Sequence, residues 1–161
     1  MRMKKAGFIG LGIMGRPMAK NLMQAGVELM ANDDNQDVVK EFEAAGAKGA
    51  TLAEIGAECE IIFTILPNGE IVQQVLFGEN GVASTIKKGS VVCDMSSVTP
   101  TQSQTCAEKL APLGVGFVDS PVSGGEPKAI DGTLAFMAGG SEADFEAVKP
   151  YMDIMGASAL L

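Results

Sequence analysis

Apolar residues along this chain gather in short runs, and the polar stretches between them change to helical spacing. Runs of strand length occur at AGFI (6–9), ELMAN (28–32), IIFTIL (61–66), SVVCDM (90–95), VGFVDS (115–120) and LAFMAG (134–139). Their near-continuous hydrophobicity predicts strands buried on both faces. Between the early runs, Met14, Met18, Leu22 and Ala25 recur every three or four positions, and Val38, Val39 and Phe42 start a second stripe. A further helix is predicted over TPTQSQTCAEKLAPLG, with Thr99 as N-cap and Pro100 at the first helical position. Strands alternating with helices need crossover connections, which are right-handed and cover both faces of a parallel sheet. The pattern predicts an α/β fold with a doubly wound, mostly parallel sheet and helices on both faces.

Composition narrows the classes of function. The 161 residues, 47% of them hydrophobic, make one domain (1–161) with enough volume for a core. Twelve Lys and Arg against twenty Asp and Glu give a net charge of -8, which argues against nucleic acid and anionic lipid as partners. Cys59, Cys93 and Cys106 are widely spaced and there is no His, so no metal site is expected and a reducing compartment fits. MRMKK followed by AGFIGLGIMG imitates the charged and apolar regions of a signal peptide, but glycines at every second or third position suit a turn better. No run approaches the ~20 apolar residues that span a bilayer. The expectation is a soluble cytoplasmic chain without membrane contact.

Candidate chemistry lies in the loops after the predicted strands. Gly10, Gly12 and Gly15 follow the first strand and open the first helix as G-x-G-x-x-G. In that context the first glycine permits the tight turn and the second lets backbone approach a pyrophosphate. The third lets helix and strand pack closely, and the phosphates rest on the helix N-terminus. Asp33 follows Gly15 by 18 positions at the end of the next run, where a carboxylate accepts hydrogen bonds from ribose hydroxyls. NAD is therefore expected over NADP, because a 2′-phosphate would meet Asp33 and Asp34. The alternative role for Asp33 and Asn35 is to cap the next helix. No GxxxxGK[ST] is present, which sets aside a P-loop. Later turns offer Leu66 and Pro67 in TILPNGEIV, Ser96 and Ser97 in DMSSVTP, and Ser123, Gly124 and Gly125 in DSPVSGGEPKAIDG. The last pairs a hydroxyl with closely spaced amides suited to a small carboxylate. The loop residues and serines also make ordinary turns and caps.

Together GFIGLGIMGRPMAKNL, LPN, DMSS and DSPVSGGEPKAIDGTLAFMAGG resemble the 3-hydroxyisobutyrate dehydrogenase family of β-hydroxyacid dehydrogenases, and GGEPKAIDGTL is most similar to its tartronate semialdehyde reductase branch. The resemblance covers essentially the whole chain and implies a Rossmann-like NAD-binding domain. It implies cofactor binding by the turn Gly10, Leu11, Gly12, Ile13, Met14 and Gly15, by Asn32, Asp33 and Asp34, and by Leu66, Pro67, Ile71 and Ser97. Ile71 stands where some members carry a polar contact. Ser123, Gly124 and Gly125 would hold the substrate carboxylate and hydroxyl.

Length is the departure from the family. Members carry a second, all-helical domain whose first long helix bears the catalytic Lys and a nearby Asn. This chain ends at MGASALL, where the last strand of the cofactor domain is expected. No catalytic residue is assigned within it: Lys128 is read as a solvated loop charge and Lys20 as a helix residue, neither matching the family lysine. In an intact enzyme the implied reaction is hydride transfer between a short β-hydroxyacid and nicotinamide, with that Lys moving the proton. This chain alone is expected to bind cofactor without turnover. Two competing readings are a free-standing NAD-binding regulatory module and a phosphogluconate-type dehydrogenase, which would favour Arg beside the ribose. Homo-oligomer formation stays open, since family assembly runs largely through the helical domain, and bared Met and Leu surface would favour self-association.

Overall fold

The computed structural model describes residues 3–161. Six strands build the main sheet: β1 (Ala6–Ile9), β2 (Leu29–Asn32), β3 (Lys48–Gly49), β4 (Ile61–Thr64), β5 (Val91–Asp94) and β6 (Gly116–Asp119). All neighbours run parallel in the order β3-β2-β1-β4-β5-β6. The strands feed helices α1 (Gly15–Gln24), α2 (Gln36–Ala44), α3 (Leu52–Glu58), α4 (Gly69–Phe77) and α5 (Pro100–Leu110).

Alternation inside each strand explains the two-sided burial. Ala6, Phe8, Ile61, Phe63 and Cys93 enter a core shared with Met18 and Leu22 of α1 and Phe42 of α2. Ile9, Ile62 and Val92 face the other way, into a second core with Ile55, Val72, Leu76 and Cys106. An apolar run that alternates between two buried faces reads as continuously hydrophobic, which is why the strands stand out in the sequence.

The remaining residues form β7 (Val122–Ser123), α6 (Gly125–Asp131), β8 (Leu134–Met137), α7 (Glu142–Met155) and β9 (Gly156–Leu160). LAFMAG therefore supplies a strand outside the main sheet, in a three-stranded sheet of order β7-β8-β9. β7 and β8 are antiparallel while β8 and β9 are parallel. Reciprocal backbone bonds between Asp119 and Gly139, 2.9 and 2.7 Å, tie this sheet to the end of β6. GASAL, within the terminal stretch, forms the parallel strand β9. AGFI coincides with β1, while the other predicted runs overshoot their strands by one or two residues, as at Leu66, which leaves the ladder while remaining half-buried. Among the described residues no helix is long and apolar enough to cross a membrane.

Candidate functional site

β1 lies between β2 and β4, so the chain leads off to opposite sides of it and opens a crevice beyond the carboxyl ends of these strands. The turn from β1 into α1 sits at that crevice, and its three glycines are held by different constraints. Gly10 has φ +105°, and a Cβ there would lie 2.0 Å from the Ile65 carbonyl oxygen. A Cβ on Gly15 would lie 2.0 Å from the Gly10 carbonyl oxygen. Backbone packing alone excludes side chains at both positions. On Gly12 a Cβ would meet nothing within 4 Å. The fold thus clamps the first and third glycines on protein and leaves the second bare toward open space, a cradle that fits a diphosphate.

The head of α1 has no side-chain cap, since its N-cap residue is Met14. In its first turn the Arg16 amide donates to the Gly12 carbonyl at 3.0 Å and Pro17 has no amide, so the backbone of the turn itself, Gly12 to Met14, sits at the positive end of the helix dipole without a side-chain acceptor. Asp33, at the tip of β2, accepts from the Leu11 amide through Oδ2 at 2.6 Å and from the Asn35 amide through Oδ1 at 2.8 Å. Asn35 caps α2, accepting from the Asp37 and Val38 amides at 3.0 and 3.4 Å. Capping thus falls to Asn35, while Asp33 braces the glycine turn. Each carboxylate oxygen has a further lone pair for a ribose hydroxyl. Arg16, one residue into α1, is paired with Glu41 of α2, whose carboxyl it holds below the usual range. That guanidinium is therefore engaged by a carboxylate, although Arg16 still borders the hollow beside Gly12 and Ile13.

Eleven sequence-predicted residues line one cleft of about 450 Å³: Gly10, Gly12, Ile13, Met14, Gly15, Asn32, Asp33, Asp34, Leu66, Pro67 and Ile71. Ile9, Ile65 and Val75 complete its walls. Leu11 and Ser97 are not among them. The Leu11 side chain is buried in the core and its amide is bonded to Asp33. Ser97 is exposed on the segment between β5 and α5, whereas Ser96 beside it is buried. The sequence offered both serines as hydroxyls and the resemblance singled out Ser97; only the polar step Asp94-Met-Ser96 at a strand end hinted at the buried partner.

Ser123 lies in β7, Gly124 is the N-cap of α6 with φ +133°, and Gly125 begins the helix. All three are exposed. Lys128, expected on a loop, is instead in α6. A cavity of about 610 Å³ runs between α1 and α6, bordered by Leu11, Gly12 and Ile13 on one side and Glu126 and Ile130 on the other. Gly12 and Ile13 border both hollows, so the head of α1 joins the crevice to the region of α6. Among the described residues no cluster of His, Cys, Asp and Glu could hold a metal ion.

The sequence matches, over residues 5–161, the family described as the NAD binding domain of 6-phosphogluconate dehydrogenase. It is 45% identical to 2-(hydroxymethyl)glutarate dehydrogenase of Eubacterium barkeri over 94% of this chain and 51% of that one. It is 43% identical to 2-hydroxy-3-oxopropionate reductase of Escherichia coli over 98% of this chain and 54% of that one. With mouse mitochondrial 3-hydroxyisobutyrate dehydrogenase the identity is 42%, over 96% and 46%. The structure superposes on Mycobacterium tuberculosis 3-hydroxyisobutyrate dehydrogenase, solved with L-serine, with a TM-score of 0.92 at 29% identity, covering 99% of this chain and 54% of that one. The chain spans about half the length of the curated relatives it matches. With the glycine cradle, the strand order and a match along nearly its whole length, this chain belongs to the family of NAD-binding domains described for 6-phosphogluconate dehydrogenase.

Proposed function

We propose that the chain is the coenzyme half of an NAD-dependent oxidoreductase acting on a short β-hydroxyacid or its semialdehyde, of the glycerate or 3-hydroxyisobutyrate type. The observation that carries this reading is the glycine turn, closed on protein at Gly10 and Gly15 and bare at Gly12. The amides of Gly12, Ile13 and Met14 would hold the diphosphate, and Asp33 the adenosine ribose. Leu66, Pro67 and Ile71 would wall the cleft against water. NAD is favoured over NADP because Asp33 and Asp34 would face a 2′-phosphate, while Arg16 is engaged by Glu41. Bound nicotinamide would supply the hydride acceptor. Ser123 and the amides of Gly124 and Gly125 would orient the substrate carboxylate so that the hydroxyl-bearing carbon faces the ring.

The relatives' names support this substrate class, and their greater length supports a proton-transferring Lys supplied outside these residues. The test is calorimetry with NADH and NADPH, followed by an assay with glycerate and 3-hydroxyisobutyrate. The expected result is NADH binding at least roughly tenfold tighter than NADPH, with no turnover by this chain alone. Absence of NADH binding would sink the reading, and turnover would show that a proton carrier lies within these residues.

A further inference from the structure

The carboxyl ends of β4 and β5 carry a buried polar chain that points at the coenzyme cleft from behind. Asp94, the last residue of β5, is 1% exposed. Its Oδ1 accepts three hydrogen bonds: from the Thr64 hydroxyl at 2.8 Å, the Ser96 hydroxyl at 2.6 Å and the Ser96 amide at 3.1 Å. Because the Ser96 proton is directed at Asp94, the lone pairs of Ser96 Oγ face away from it. One of them accepts from the Leu66 amide at 2.8 Å.

That amide stands where β4 leaves the sheet. On the β1 side the Ile65 amide still donates to the Ile9 carbonyl at 3.0 Å, and on the β5 side the Met95 amide donates to the Thr64 carbonyl at 2.7 Å. Leu66 comes next and is held by a side-chain oxygen. Its neighbour Ile65 presents the carbonyl against which Gly10 packs, so the exit of β4 and the glycine turn share one contact. Leu66 and Pro67 wall the same cleft as Gly10 and Gly12. A hydroxyl is needed at Ser96 because it must give to a carboxylate and accept from an amide at once, which no apolar residue of that size can do. The main chain of Asp94 reaches the other half-site, its carbonyl accepting from the Ser120 amide at 2.8 Å, three residues before Ser123.

We propose that Ser96, oriented by Asp94, is a positioning residue that fixes the Leu66 wall of the coenzyme cleft, an inference that rests on the coenzyme reading above. Asp94 touches neither coenzyme nor substrate in this scheme. It fixes the direction of the Ser96 hydroxyl, and the hydroxyl fixes Leu66. Burial raises the Asp94 carboxyl above its ordinary range, opposed by its bonds from Ser96 and Thr64, so the group is held in place at an electrostatic cost that a purely apolar packing position would not carry.

The test compares the unsubstituted chain with Ser96→Ala and Ser96→Thr, reading NADH affinity by calorimetry and amide exchange by NMR. In Ser96→Ala the Leu66 amide should exchange roughly tenfold faster and NADH should bind roughly tenfold more weakly, while the Leu11 amide, held by Asp33, keeps its protection. Ser96→Thr, which keeps the hydroxyl, should restore both. Unchanged NADH affinity in Ser96→Ala, beside normal binding by the unsubstituted chain, overturns this inference and leaves the coenzyme reading intact. Absence of NADH binding by the unsubstituted chain overturns both. Should Ser96→Ala fail to fold, the other two proteins still decide, because a Leu66 amide exchanging at the unprotected rate in either one removes the relay.

Discussion

The heads of α1 and α5 lie at the same end of one parallel sheet, yet they are finished in opposite ways. At α5, Thr99 Oγ1 accepts from the Gln102 amide at 3.2 Å and Gln102 Oε1 accepts from the Thr99 amide at 3.0 Å, while Pro100 has no amide to satisfy. This reciprocal capping box closes the helix with its own side chains. At α1 the corresponding residue is Met14, and nothing caps the helix. Asn35, Thr51, Asn68 and Ser141 cap α2, α3, α4 and α7. Among the described α-helices, α1 and α6 lack a side-chain cap, and both begin on a glycine, Gly15 and Gly125. The same orphan amides exist at every helix head. Among the described α-helices a side-chain acceptor is missing only at the two heads where an anion is expected.

The sharpest way to break this contrast is Gly15→Ala. A methyl 2.0 Å from the Gly10 carbonyl oxygen cannot be accommodated without moving backbone, and such overpacking costs about 3 kcal/mol. For a domain of this size that is a fall of roughly 6 to 12 °C in melting temperature, with loss of detectable NADH binding. Gly12→Val should separate the two effects. Its side chain enters open space, so unfolding free energy should stay within about 0.5 kcal/mol of the parent. NADH affinity should drop by at least roughly tenfold as the diphosphate loses its place. Equal NADH affinity in both proteins would mean that the cradle is only a glycine-rich turn.

Thr99→Ala acts on the closed head and should give the reverse signature. Loss of an N-cap costs about 1 kcal/mol, roughly 2 to 4 °C here, and NADH titrations should be unchanged. A weakened coenzyme would show that the two heads are coupled.

Much of this contrast was legible in the residues themselves. Thr99-Pro100 announces a capped start, and G-x-G-x-x-G after an apolar run announces an open one, because both signals are local in sequence. The parallel sheet was legible for a related reason, since Phe8, Ile62, Val92 and their neighbours are apolar on both faces. The backbone bonds that Asp33 and Ser96 accept were not. Asp33 Oδ2 bonds an amide 22 residues away and Ser96 Oγ one 30 residues away, and such pairings depend on strand register, which periodicity does not specify. LAFMAG has the hydrophobicity of a sheet strand, but its partner is decided by the Asp119–Gly139 bridge and by the turn through Ser123, so its placement in a second sheet emerges only in three dimensions.

The smallest expected effect concerns how fully the α5 side of the sheet is sealed. Cys106 of α5 is 2% exposed, and its Sγ accepts from the Gln73 side chain at 3.1 Å. Burial pushes its thiol up to about 11, so at pH 8 roughly one molecule in a thousand carries the reactive thiolate. Burial also pushes Cys93, in β5 beside Asp94, well above its ordinary value. Ellman's reagent at pH 8 should therefore leave both unmodified in the folded chain and titrate them at once in urea. Saturating NADH should change neither result, because neither thiol lines the cleft. Rapid labelling of Cys106 in the folded chain would mean that the closed end opens in solution, and protection restored by NADH would tie that opening to the crevice, making the two helix heads parts of one moving unit.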